Sequence, residues 1–377
     1  MKYTHLLLFI ICFLLTASIS SGTAFAFEPS LYGEKIRVAI LKGVENVTVD
    51  GAGLLATNDS EQAVALEFPA NFTNSRGKVI CGNSASRVLR IAAFDLLKVN
   101  GKSYRGIIEL SAQSGKLLVV NELLLEEYLI GVINSEISST WPMEAIKTQA
   151  VIARTYAVAK KKERARALYH LESTTMDQAY FGSDQEDNRA SRGVNETEGE
   201  VLTYDGKVIQ AFYHANSGGR TESSENVWGL ALPYLRGVEC QYGLTSSTSS
   251  WELNIPLSRV ESALRTAGQK IGDLFDIKEG TLNNRGRLKT IILVTSRGNV
   301  TMPATKFRMA VGSTVVKSTN FNVHVEGQTA IFNGMGYGHG VGLCQYGSKQ
   351  RALDGFNYKE ILSYYYPGTR LTKLSEL

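Results

Sequence analysis

The period of the hydrophobic pattern changes near residue 123, where a β-rich stretch gives way to a pair of helices, and a later β-rich portion follows from about Leu288 to Phe332. Upstream, residues 35–122 carry IRVAIL, VTVD, VIC, VLRIAAF, YRGIIELS and KLLVVN, runs rich in strand formers and separated by Gly, Asn or Ser. Downstream, Leu125, Leu129, Val132 and Ile133 recur at helical spacing and predict a helix near 124–137. Pro142 suits a first helical turn, where no amide partner is lost, and Glu144 suits the positive end of a helix dipole. A second helix is therefore expected over about 142–160. The fold class expected is α+β, a β-rich body with this pair of helices carrying the site.

One residue breaks the apolar pattern of the first helix. Glu136 occupies the next position on the face of Leu129, Val132 and Ile133. Burial there disfavours the charged carboxylate, and the negative end of a helix acts in the same direction, so the side chain is poised to hold a proton as a general acid must. The alternative is a structural carboxylate satisfied by Lys147 or Arg154. Those two cations lie seven positions apart on the second helix and point the same way, either as a solvated face or towards Glu136. On that helix Ile146, Ala150, Ala153 and Ala157 make a narrow stripe that permits close packing.

The N-terminus reads as an export signal. Lys2 precedes an apolar run from Leu6 to Leu15 and small residues ending at Ala26, the layout of a secretory signal peptide cleaved before Phe27. The run is shorter than the ~20 residues that span a bilayer, and Ile11 before Cys12 does not suit lipid attachment. The expected location is across the cytoplasmic membrane, in the periplasm or cell wall, with no transmembrane anchor. Cleavage would lower the formal charge from +4 to +3 by removing Lys2 and no acidic residue. Such a balance does not suggest a nucleic-acid partner. The one basic cluster, Lys160 to Arg166, reads as the solvated end of a helix or a contact for an anionic wall polymer.

Three cysteines follow the signal segment, Cys81, Cys240 and Cys344, so at least one stays unpaired within the chain. A Cys240–Cys344 disulfide suits an oxidising compartment. His214, Cys240, His339 and Cys344 are donor types that zinc accepts, yet none has close CxxC or HxxxH spacing, and the expectation is no metal and no cofactor.

No Pro/Ser-rich linker divides the chain, so the expected organisation is a signal peptide at 1–26, a β-rich part at 27–122 and a region at 123–377 that is continuous with it or separate. VLTYDGKVIQAFYHA reads as a hairpin turning at Asp205-Gly206. GMGYGHGVGLCQYG, residues 334–347, has six glycines around His339; no Lys-Ser/Thr pair follows, so it is not a phosphate loop. A closing YYYPGTRL places Tyr364 to Tyr366 for packing against the body.

Taken in order, NELLLEEYLIGVINSEISSTWPMEAIKTQAVIARTYA, TTMDQAYFG, NETEGEVLTYDGKVIQAFYHANSGGRTESSENVWG, LPYLRGV, GYGHGVGLCQYG and YYYPGTRL resemble the SpoIID/LytB family over roughly residues 35–377. The resemblance implies a lytic transglycosylase that cuts the MurNAc–GlcNAc β-1,4 bond of peptidoglycan glycan strands, preferring strands stripped of peptide. Its acid falls on Glu136, the residue that periodicity singles out, and Lys147 and Arg154 match basic positions expected to contact substrate or orient the acid. Tyr180, His214, Ser217, Tyr337 and His339 sit on family motifs and are candidates for lining the cleft; Tyr180, Tyr213 and Tyr337 would either stack on sugars or pack in the core. Asp177 is the candidate second carboxylate. Some relatives place cysteines in the HxxxGG loop and after YLRGV, whereas this chain has His214-Ala215-Asn216-Ser217-Gly218 and Cys240-Gln241-Tyr242, which weakens an inherited zinc site. The implied alternative is a glycan-binding enhancer of an N-acetylmuramoyl-L-alanine amidase, and the implied partners are glycan strands and such an amidase.

Overall fold

The computed structural model describes residues 33–241 and 249–377, so the expected signal peptide at 1–26 lies outside the described residues. The chain divides into two compact units. The first comprises Leu41–Gly101 and Gly106–Val119 and is built of short antiparallel strands. Val88–Ala92 pairs with Ile107–Gln113 on one side and Leu55–Asn58 on the other. Asn46–Asp50 pairs with Ala70–Ser75 and with Leu97–Val99. Alternation sets their inner faces: Val47, Val49, Phe72, Val79, Leu89 and Ile91 are fully buried while their neighbours point outward.

The second unit comprises Gly33–Ile40, Lys102–Arg105 and Val120–Leu377 and holds every described helix. These are α1 (Leu125–Glu136), α2 (Met143–Glu163), α3 (Asn188–Asn195), α4 (Ser224–Trp228), α5 (Leu257–Thr266), α6 (Ala304–Val311), α7 (Gln345–Leu353) and α8 (Tyr358–Tyr365). The architecture is α+β, as expected, and the first two helices fall within a residue of their expected starts. α2 runs three residues past its expected end, on Lys161, Lys162 and Glu163. Lys161 Nζ donates to the Lys35 carbonyl and pairs with Glu34, contacts that hold the last turn.

α2 is the axis of this unit. It packs against α1, α3, α7, α8 and the strand Glu200–Tyr204, and its small-residue stripe is why it can. Ile146, Ala150, Ala153 and Ala157 are fully buried, and α3 approaches so closely at Gly193 that a Cβ there would meet the Ile146 side chain at 2.4 Å. The expected hairpin forms at Asp205-Gly206, both residues at positive φ, with Tyr204 opposite Lys207. Glu200–Tyr204 also pairs antiparallel with Arg370–Lys373. Tyr365 and Tyr366 are buried in the core around Val151, Ile152, Leu343 and Ile361. A separate core, centred on Trp251, Leu264, Ile291, Phe307 and Phe332, fills the segment from Ser250 to Met335.

The site depends on a long-range pairing. Tyr213–His214 lies parallel to Leu343–Cys344, and Asn216 exchanges both backbone hydrogen bonds with Tyr337, at 3.0 and 2.7 Å. These bridges carry the glycine-rich loop and the start of α7 to the end of α1. Glycine is required where the chains approach: at Gly338, φ +119°, a Cβ would lie 2.6 Å from that of His214.

Candidate active site

Glu136 is the last residue of α1, held there by the burial of Leu125, Leu129, Val132 and Ile133. Its side chain is half-buried and opens into a cleft of about 650 Å³. The Ala179 N–H donates to Glu136 Oε1 at 2.7 Å, and the side chains of Tyr213 and Gln345 donate to the same carboxyl. Burial raises the pKa of Glu136 above the usual glutamate value, and the three donors only partly offset it. A neutral donor stabilises the carboxylate less than a cation would, so the acid is poised rather than locked in its charged form.

A relay of neutral groups stands behind the carboxyl. Gln178 Nε2 donates to the Tyr213 hydroxyl at 3.2 Å, and Gln178 Oε1 accepts from Tyr128 at 3.1 Å. Burial, then the neighbouring Glu136 charge, pushes the Tyr213 phenol well above its ordinary value, so it acts as a donor and not as a base. Gln345 Nε2 also reaches Gln149 at 3.4 Å.

The cleft wall is aromatic and polar. Trp141, Tyr337 and Tyr346 line it together with Asn134, Gln185 and Ala215, and Glu136 is its one carboxylate among the described residues. Trp141 and Tyr346 rings lie 5.3 Å apart, Lys349 Nζ sits 5.2 Å over Trp141, and Lys317 Nζ sits 5.9 Å over Tyr337. Flat rings beside a carboxyl give the cleft surfaces for stacking next to a group able to donate a proton.

Of the other residues singled out from the sequence, Tyr337 lines this cleft and Tyr213 donates to its carboxyl, and the rest are distributed differently. Arg154 is fully buried on the opposite errand: it binds Glu126 in bidentate fashion at 2.8 and 2.6 Å and donates to the carbonyls of Glu200 and Val194. Its hydrogen bonds join α1, α2, α3 and a strand, and leave the guanidinium turned away from solvent. Lys147 pairs with Glu196 at 2.6 Å and Glu144 at 3.0 Å; Glu196 responds with a carboxyl held down at about 2, chiefly by Lys147. Neither cation touches Glu136, because the face of α2 that bears them looks toward α3 and the Glu200 strand. Tyr180 is a core residue as well, its hydroxyl donating to Asn121 at 2.9 Å and its ring against Tyr104 and Tyr128. Asp177 is consumed by Arg164 at 2.7 Å and Tyr156 at 3.0 Å, which removes it as a second acid.

His214, His339 and Ser217 support the loop around the cleft. His214 Nδ1 donates to the Val341 carbonyl at 3.1 Å, and His339 Nδ1 accepts from the Val341 amide at 3.1 Å. Burial drives both imidazoles down, His339 to about 4, so both are neutral near pH 7. Ser217 is buried; its amide donates to Cys344 Sγ at 3.2 Å and its carbonyl accepts from Arg287 at 2.5 Å. The four donor residues considered for zinc do not converge. Among the described residues no three His, Cys, Asp or Glu side chains form a group fit for a metal.

Sequence reasoning missed Gln345, Gln178 and the Ala179 amide. The TTMDQAY motif contains the last two, and Gln345 follows Cys344 at the end of the glycine-rich loop, but neither motif carries a local signal that its amide groups face Glu136.

Comparison with known proteins places the chain. The SpoIID profile, described as Stage II sporulation protein, matches residues 113–204. An uncharacterized protein of Brachyspira hyodysenteriae is 37% identical over 281 residues, covering 73% of each chain. The amidase enhancer of Bacillus subtilis is 33% identical over 289 residues, covering 65% of this chain and 40% of that protein. Stage II sporulation protein D of Bacillus subtilis is 30% identical over 272 residues, covering 67% of this chain and 76% of its own length. With the helix pair, the glycine-rich loop and the Glu136 cleft in one unit, the chain belongs to the SpoIID family.

Proposed function

We propose that this protein acts on the bacterial cell wall as a lytic transglycosylase, cutting the MurNAc–GlcNAc β-1,4 bond of peptide-free glycan strands and leaving 1,6-anhydro-MurNAc ends. The observation that carries this reading is a sugar-sized aromatic cleft with a single carboxylate, Glu136, whose proton affinity is raised by burial. Hydrolytic glycosidases usually need two carboxylates, the second to activate water or to attack the sugar. With one, the nucleophile must come from the substrate. Glu136 donates its proton to the leaving glycosidic oxygen as the C1–O bond breaks; the resulting carboxylate then takes the proton of the muramyl 6-hydroxyl as that oxygen closes on C1. The Ala179, Tyr213 and Gln345 donors stabilise the carboxylate between the two transfers.

Mass spectrometry of peptide-free glycan strands incubated with residues 27–377 and with the Glu136→Gln variant tests the reading. New 1,6-anhydro ends that vanish in the variant support it. Ordinary reducing ends from the wild type would mean hydrolysis and sink it.

A second reading rests on the Bacillus subtilis relative named amidase enhancer: a glycan-binding partner of a cell-wall amidase. On this reading Glu136→Gln keeps both glycan affinity and amidase stimulation, and neither protein yields anhydro ends.

A further inference from the structure

The two buried cysteines of the second unit are brought together from distant parts of the chain. Cys240 ends the short strand Glu239–Cys240, which pairs with Gly219–Arg220, and its Sγ lies 3.2 Å from the Tyr365 hydroxyl. Cys344 ends the strand paired with Tyr213–His214 and caps the N-terminus of α7, its Sγ accepting from the Gly347 amide at 3.3 Å. The two thiols are hydrogen-bonded to each other. Gly347 fills the space beside them: a Cβ there would come 2.5 Å from Cys240 Sγ and 3.4 Å from Cys344 Cβ. Nothing in the proposed reaction uses either sulfur.

We propose that Cys240 and Cys344 are a disulfide-forming site that ties the Glu239–Cys240 strand to the start of α7, the helix that presents Gln345 to Glu136. Burial pushes the Cys344 thiol well above its ordinary value, so this thiol is a poor nucleophile once it is enclosed. One thiolate attacks an incoming disulfide and displaces a thiol; the second thiolate attacks the mixed disulfide and displaces the other. Two S–H bonds are lost, one protein S–S bond forms, and the incoming disulfide leaves as two thiols carrying both electrons and both protons. Cys81, in the other unit, is left as the thiol.

The test refolds the full chain from Phe27 in oxidised and reduced glutathione, alkylates it under denaturing conditions, and digests it without reductant. The expected product is a single linked peptide pair containing Cys240 and Cys344, with only Cys81 alkylated. Tm rises by about 5 °C over the reduced chain, since the bond closes a long loop. Cys81→Ser should keep that rise, and Cys240→Ala should abolish it. Alkylation of all three cysteines at a glutathione ratio that oxidises ordinary exported proteins overturns the proposal, as does a linkage through Cys81. If Cys240→Ala fails to fold, the peptide map of Cys81→Ser decides alone: a linked pair supports the site and two alkylated thiols reject it.

Discussion

The Ala179 amide donates to Glu136 Oε1 at 2.7 Å, so the carboxyl at the end of α1 is gripped by backbone from the segment that follows α2. A backbone donor cannot rotate away, and it fixes the direction of the acid's second oxygen. The cleft acid is thus oriented by the fold itself, with Tyr213 and Gln345 as adjustable partners.

On the proposed function, Glu136→Gln should lower strand cleavage by about 10²–10⁴-fold, the usual contribution of a general acid, while the chain stays folded. The same variant has a thermodynamic signature. Because burial raises the folded-state value, the folded chain retains a proton that the unfolded chain releases, and stability from this group falls as pH rises from 4.5 through the folded value. The variant should therefore gain in Tm over the wild type at pH 7 and show little difference at pH 4. Calorimetry at the two pH values checks both.

Tyr213→Phe removes a donor that favours the carboxylate. The acid should then hold its proton to higher pH, moving the alkaline limb of the kcat/KM profile upward. The lost stabilisation should cost about tenfold in kcat/KM at the wild-type optimum, the weight of one hydrogen bond. An unmoved limb would show that Tyr213 only packs.

Arg154→Met leaves Glu126 without its bidentate partner at the junction of α1, α2 and the Glu200 strand. Breaking such a buried pair should destabilise by about 3 kcal/mol, the lower end of the range because Glu126 is partly exposed. Urea titration measures the loss. Folded Arg154→Met should retain its KM, which substrate contact by the guanidinium would not permit.

Gly131→Ala sets helix propensity against packing. The gain of about 1 kcal/mol for alanine in α1 is opposed by a Cβ 2.7 Å from the Gly182 carbonyl and 2.8 Å from the Tyr180 ring. The backbone carbonyl cannot yield, and a net loss of about 2 kcal/mol is expected in denaturant melts.

His170 and His339 are each depressed to about 4, by burial first, and His170 Nδ1 accepts the Arg37 amide at 3.2 Å. The folded chain binds fewer protons than the unfolded one below the ordinary histidine value of 6.5, so stability should be full above 6.5 and decline as pH falls towards 4. His170→Gln should flatten that decline in a Tm-against-pH series.

The sequence by itself determined the local geometry. Leu125, Leu129, Val132 and Ile133 fix which face of α1 is buried, so they also fix that Glu136 ends on that face. Asp205-Gly206 sets the hairpin turn because few other residues tolerate two positive φ values in succession. These are properties of neighbours a few residues apart. What surrounds the carboxyl was decided by tertiary structure alone. Gln345 stands 196 positions from the Gln149 it contacts, brought there by parallel pairing of Tyr213–His214 with Leu343–Cys344, and short-range periodicity carries no information about such a partner. The same holds for the charges. Spacing shows that Lys147 and Arg154 share a direction on α2, but only the packing of α3 and the Glu200 strand on that face turns both cations into ion pairs away from the acid. Period and turn chemistry act within one element, whereas a site is made where elements meet.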